Sequence, residues 1–168
     1  MSAVIRNATA ADADAIGTLA REFQEYLRAL GDCTHFEFTA ETYRRDGFGP
    51  NPAFSGLVAE RDSQVIGYLL YHFGYDTDRA MRLMHVIDLY VHTSQRRRGV
   101  GEALMRRAAE ICRESGGREL IWSVFSPNML AFQFYEHLGA KRIKELKIMS
   151  WPVPVREDPR ASGISPRE

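Results

Sequence analysis

Gln95-Arg96-Arg97-Arg98-Gly99-Val100-Gly101 carries the clearest chemistry in the chain. Glycine admits a ligand to the backbone because no Cβ stands in the way. Consecutive N–H groups at the opening of a helix, with the positive end of its dipole, suit a phosphate. The arginines add charge beside them. Arg96, Arg97, Arg98, Gly99, Val100, Gly101 and Glu102 therefore read as a pyrophosphate cradle built mostly from main chain. Arginine runs also occur as solvated faces, and glycines at such a turn also serve packing, so spacing alone leaves both readings open. Two other phosphate motifs are excluded. No Gly-Lys-Ser/Thr ends the run, as a P-loop requires, and Gly-x-Gly-x-x-Gly is absent.

A second chemical feature is Asp88, set among Val86, Ile87, Leu89, Tyr90 and Val91. A carboxylate buried without a partner is costly, so Asp88 is either paired or functional. Simple alternation puts it on the face of Val86 and Tyr90, opposite Leu89.

The elements that must position these groups follow from periodicity. Met84–Val91 is rich in β-branched and aromatic residues and reads as a buried strand that starts near residue 81. Glu102–Cys112 has apolar residues at helical spacing and stops at Ser115-Gly116-Gly117. Upstream, Val4–Asn7 reads as a strand. A helix capped by Thr9 or Asp12 runs to about Leu30, and a short helix follows Thr39. Phe54–Glu60 and Gln64–Phe73 flank Arg61-Asp62-Ser63 as a hairpin, with a turn at Gly74–Asp78. Downstream come a strand at Leu120–Val124, a helix at Asn128–Leu138 and a final strand at Lys141–Trp151. Residues 153–168 read as a mobile tail after a single domain at 1–152. This order predicts an α/β domain around one mixed sheet.

Arg96-x-x-Gly99-x-Gly101, after a strand and opening a helix, resembles the acetyl-CoA signature of the GCN5-related N-acetyltransferases (GNAT). Asn128-x-x-Ala131-x-x-Phe134-Tyr135-x-x-x-Gly139-Ala140 resembles that family's later segment, and residues 84–140 resemble its diamine and polyamine branch. The resemblance implies a mixed, mostly antiparallel sheet flanked by helices, with two strands splayed at a bulge around a cofactor cleft. It implies acetyl-CoA as co-substrate and direct attack by a primary amine of a small cationic molecule or a lysine side chain. The matching positions give main-chain donors to the acyl oxygen at Leu89, Tyr90 and Val91, and a cofactor contact at Asn128. They make Tyr135 the proton donor to the leaving thiolate. Phe23, Glu25 and Tyr26 fall where the family binds its acceptor, where acid and aromatic groups suit a cation. Glu25 reads equally as part of a solvated helix face.

The carry-over fails at the general base. Related polyamine enzymes often place glutamate one residue before the strand aspartate, and here that residue is Ile87. Asp88 remains as the catalytic and substrate-contacting candidate, with His92 and His85 behind it. The absent glutamate leaves room for a non-catalytic acyl-CoA sensor. A protein N-terminus or an aminoglycoside is the alternative acceptor.

Composition narrows the field. The 168 residues carry 22 basic and 22 acidic side chains, which argues against a nucleic-acid partner. No apolar run reaches the length of a membrane helix and no secretory leader is evident. The two cysteines, Cys33 and Cys112, have no metal spacing, so no metal site is expected. A cytoplasmic location is the expectation, and the resemblance admits a homodimer.

Overall fold

The structure is a computed structural model and describes residues 3–153. β1 (Val4–Asn7) leads through a 3₁₀ turn into α1 (Ala13–Ala29), which buries Ile16, Leu19 and Ala20. α2 (Ala40–Phe48) starts where the Thr42 N–H donates to the Thr39 hydroxyl at 3.2 Å. β2 (Ser55–Arg61) and β3 (Gln64–Asp76) form the expected hairpin. Its two turn residues, Asp62 and Ser63, both have positive φ, at 51° and 61°, which matches the strands' right-handed twist. β4 (Met81–Val91), a 3₁₀ turn at Thr93–Gln95, α3 (Val100–Glu114), β5 (Gly117–Ile121) and α4 (Met129–His137) complete the regular elements among the described residues.

The sheet order is β1-β2-β3-β4-β5, antiparallel except for the last pair. α1 and α2 cover one face, where Ile16, Tyr43, Val58, Tyr68 and Tyr90 pack together. α3 covers the other through Leu104 and Ala108 against Leu57, Leu69 and Met84, and Phe134 and Tyr135 of α4 join that layer.

Two irregularities of β4 shape the site. It pairs with β5 only between Arg82 and His85, so the two strands part beyond that point. A bulge falls at the same place. Leu70 pairs with Asp88 and Tyr71 with Val86, which leaves Ile87 unmatched and 42% exposed. The extra residue reverses the alternation. Val86 therefore packs in the α3 layer, while Asp88 lies with Tyr68 and Tyr90 on the α1 side. The expectation that Asp88 shares Val86's face is corrected by this bulge.

Three boundaries differ from expectation. β3 continues through Gly74 to Asp76 because Gly74 and Tyr75 pair with Leu83 and Arg82. β5 lies at Gly117–Ile121 instead of Leu120–Val124, since Trp122 and its successors have left β4. Lys141–Trp151 is no strand. Its alternation is present, but among the described residues no strand supplies the hydrogen bonds it needs, and Leu146, Ile148 and Trp151 are exposed. The expected tail lies outside the described residues, apart from Val153.

Asp12 ties this frame together. It is 7% exposed and receives two hydrogen bonds from Arg6, at 2.8 and 2.9 Å, and one from the Thr9 N–H at 2.7 Å. Arg6 also binds Glu60 of β2 at 2.8 Å. The Arg6 hydrogen bond, opposed by burial, holds the Asp12 carboxyl at about 2, below its ordinary 3.8. The native state thus prefers the ionised form. The stabilisation is complete above the unfolded value and lost as pH falls through about 2. Asp12→Ala should cost about 2 kcal/mol or more at pH 7 and flatten that acid limb. Urea unfolding of both proteins between pH 2 and 7 measures it; parallel curves would remove Asp12 from the account.

Candidate active site

The parting of β4 and β5 opens a cleft of about 180 Å³. Its walls include Asp88 and Leu89 of β4, Trp122 after β5, Phe23 of α1, and Asn128 and Tyr135. The structure thus gathers residues from three distant stretches of sequence into one opening.

The cradle lies at the end of β4. Arg97 and Gly99 have positive φ, 58° and 75°, so the chain curls as it enters α3. Among the described residues, no protein acceptor takes the N–H groups of Arg97 through Glu102. A Cβ built on Gly99 would meet nothing within 4 Å, so the concavity is open there. Arg97 and Arg98 are exposed beside it. Six consecutive unpaired donors at the positive end of a fifteen-residue helix fit a pyrophosphate.

Gly101 has a packing role besides its cradle N–H. Its added Cβ would sit 3.2 Å from the Phe134 ring, so its smallness lets α3 pack on α4. Arg96 departs from expectation. Its Nε donates to the Val91 carbonyl at 3.0 Å, and its guanidinium lies 5.0 Å from the Tyr26 ring centre and 5.2 Å from that of Tyr90. It staples α1 to the cradle instead of reaching out to a phosphate. The Glu102 side chain is engaged by Arg106 at 2.7 Å, leaving its N–H for the cradle.

The phase of β4 sorts its main-chain donors. His92 N–H donates to Ile66 O of the neighbouring strand β3 at 2.9 Å. Antiparallel pairs alternate, so Tyr90 and Asp88 direct their peptide groups at β3, whereas Leu89, in the cleft wall, and Val91 direct theirs away from it. Leu89 and Val91 N–H are therefore free for an acyl oxygen. The Tyr90 amide, expected to share that task, is committed to the sheet. The Tyr90 side chain donates instead to Glu22 at 3.3 Å and stacks with Phe23 at 5.4 Å.

Asn128 is a double-duty residue. Its Oδ1 accepts from the Ala131 N–H at 3.2 Å, capping α4, and from the Tyr26 hydroxyl at 2.9 Å. Its amide NH₂ keeps its donors, with no protein acceptor among the described residues. Tyr26 thus buttresses Asn128 and Arg96. Glu25 points to solvent on the outer face of α1 and does not line the cleft, because the helical turn that brings Phe23 inward carries Glu25 outward.

Tyr135 lies against Trp122 at 4.7 Å and Phe134 at 5.0 Å. Burial first, then the charge of Asp88, pushes its phenol up to about 12, so it stays protonated at neutral pH. Burial also raises the Asp88 carboxyl above the ordinary carboxylate range, opposed by a hydrogen bond from Tyr68. No cation among the described residues offsets it. The two reserve candidates lie elsewhere. His85 hydrogen-bonds His72 at 2.9 Å, and His92 bonds Ser94 at 2.8 Å; neither lines the cleft. Sequence reasoning passed over Trp122 and Tyr68, which read as ordinary strand bulk; only their neighbours mark them.

The arrangement offers an anion cradle, a channel with free main-chain donors, a half-buried carboxylate and a protonated phenol. Residues 19–140 match the acetyltransferase (GNAT) family. A thialysine N-epsilon-acetyltransferase of Sus scrofa is 34% identical, the match covering 86% of this chain and 87% of that protein. A human spermidine/spermine N(1)-acetyltransferase-like protein is 29% identical over 81% of this chain and 20% of its own length. An integron cassette protein from the mobile metagenome of V. cholerae shares the fold, with a TM-score of 0.75 at 24% identity over 91% of this chain and 94% of that one. The chain belongs to the GNAT acetyltransferase family and is an acetyl-CoA-dependent N-acetyltransferase.

Proposed function

We propose that the acceptor is a primary ammonium on a flexible alkyl stem, such as a diamine or a lysine-like amino acid, and that Asp88 receives its proton. The observation that carries this reading is the half-buried Asp88 carboxylate, which lines the cleft with no cation against it among the described residues. An entering ammonium supplies the missing charge, and Phe23 and Trp122 supply apolar and π surface for the stem. The names of the relatives, thialysine and spermidine/spermine acetyltransferases, support the same class.

The proposed roles balance as follows. The cradle N–H groups and Arg97 and Arg98 hold the pyrophosphate of acetyl-CoA, whose thioester supplies the acetyl group. Leu89 and Val91 N–H groups donate to the acyl oxygen as it gains charge. Asp88 takes one proton from the ammonium, directly or through water, which frees the nitrogen lone pair to form the N–C bond. As the C–S bond breaks, Tyr135 gives its proton to sulfur, and the acylated nitrogen sheds its second proton through water, which reprotonates Tyr135. The proton on Asp88 then leaves to solvent, the single proton released per turnover.

Two measurements test this reading. CoA release across diamines, polyamines, lysine analogues, aminoglycosides and peptide N-termini ranks the acceptors, and preference for a neutral or N-terminal amine would defeat the proposal. Acetyl-CoA should raise the parent's melting temperature, as any ligand of the native state does. Gly99→Val forces a β-branched residue into a left-handed conformation and fills the open concavity. It should weaken acetyl-CoA binding at least about tenfold and shrink that thermal shift. Gly101→Ala should instead lower the unliganded melting temperature, because its Cβ meets Phe134. Unchanged acetyl-CoA affinity in folded Gly99→Val would move the phosphates elsewhere.

A further inference from the structure

Tyr68 has no place in the scheme above, yet its surroundings single it out. It lies on β3, directly opposite Tyr90, in the layer beneath α1, and is 0% exposed. Phenylalanine would fill the same space. A hydroxyl buried that deeply needs a partner. The partner is Asp88: the Tyr68 hydroxyl donates to its Oδ2 at 3.5 Å. The bulge at Ile87 makes this meeting happen, since it turns Asp88 to the face that Tyr68 occupies.

The other groups around Asp88 leave Tyr68 without competitors. From α4 comes the Tyr135 phenol, which feels the charge of Asp88. From β4 itself comes Tyr90, whose hydroxyl is engaged with Glu22 of α1. α1 presents Phe23 and Leu27 to the cleft, and the chain after β5 presents Trp122 and Ser123. None is cationic. Arg96, the basic side chain stacked on Tyr90, is bonded to Val91 O.

We propose that Tyr68 is a positioning residue: its hydroxyl fixes the Asp88 carboxylate at the cleft and keeps it available as a proton acceptor. The proposal rests on the base role given to Asp88 above. Desolvation drives Asp88 toward its neutral form, in which it is no base. A hydroxyl that donates to the ionised oxygen opposes that drift and also fixes the rotamer. Tyr68, itself sealed from water, does not carry the proton away; that path runs through the cleft.

The test reads Asp88 directly and does not depend on turnover. Aspartate carboxyl carbons are labelled with ¹³C and titrated by NMR, with Asp88→Asn identifying the Asp88 signal. In Tyr68→Phe the Asp88 midpoint should move to higher pH. In protein carrying 3-fluorotyrosine at position 68, a stronger donor of nearly unchanged shape, it should move to lower pH. The fluorinated protein keeps the test decisive should Tyr68→Phe fold poorly. The acid limb of kcat/KM for the amine should move with the midpoint, so that Tyr68→Phe loses about three- to tenfold on that limb and recovers at high pH. A purely structural hydroxyl would lower the melting temperature and leave both midpoint and limb in place, and an unmoved midpoint in both proteins overturns the proposal. A midpoint that moves while amine kinetics stay unchanged upholds Tyr68 as Asp88's partner and removes Asp88 as base.

Discussion

Replacing Tyr135 by phenylalanine is expected to lower kcat by about a hundredfold while leaving acetyl-CoA affinity within about twofold. The ring stays, so packing on Trp122 and Phe134 is retained. What goes is one O–H at the point where sulfur leaves. A thiolate expelled into an apolar cleft without a proton is a poor leaving group, so the loss falls on the chemical step. Because the phenol lies at about 12, no ionisation of Tyr135 should appear in the profile below pH 10. Single-turnover mixing of enzyme, acetyl-CoA and amine isolates that step. Wild-type single-turnover rates in Tyr135→Phe would assign the thiolate's proton to water.

Asp88→Asn is expected to have the second large effect, a fall of about a hundredfold in kcat/KM for the amine with acetyl-CoA binding intact. In the parent, kcat/KM should rise with pH as Asp88 ionises; in the variant that limb should vanish. The sign for stability is opposite to that of Asp12. Burial raises the Asp88 carboxyl in the folded protein, so the native state holds its proton more tightly than the unfolded chain does. Its contribution is most favourable at low pH and is lost as pH rises past the unfolded value. At neutral pH Asp88 therefore burdens the fold, and Asp88→Asn should melt higher than the parent even as it loses activity. A variant that melts lower and keeps its amine kinetics would show a structural aspartate and send the search for the base to solvent.

The bearing of Ile87 on these expectations is mechanical. In related polyamine enzymes, by the resemblance, the position before the strand aspartate holds a glutamate. Here it is the bulged residue itself, half exposed and apolar. The carboxylate that remains is one residue further on and turned inward, where burial raises its proton affinity. The proposed chemistry thus relies on a desolvated base held by a tyrosine.

Much of this was legible in the sequence because it is local. The helical faces of α1 and α3, the hairpin around Asp62 and Ser63, and the glycine turn after β4 follow from periods and turn chemistry acting over a few residues. The anomaly of Asp88 was visible too, since one charge in an apolar strand stands out. The tertiary structure decided the rest, because it depends on which strand lies beside which. Pairing with β3 creates the bulge that moves Asp88 to Tyr68's face, and sets the phase that frees Leu89 and Val91 but ties up Tyr90. The early end of the β4–β5 ladder opens the cleft. The packing of α1 and α4 draws Arg96 onto Tyr26, presses Gly101 against Phe134 and leaves Glu25 outside. The Lys141–Trp151 segment shows the limit from the other side: alternation says which residues share a face, but a strand exists only where another edge meets its hydrogen bonds.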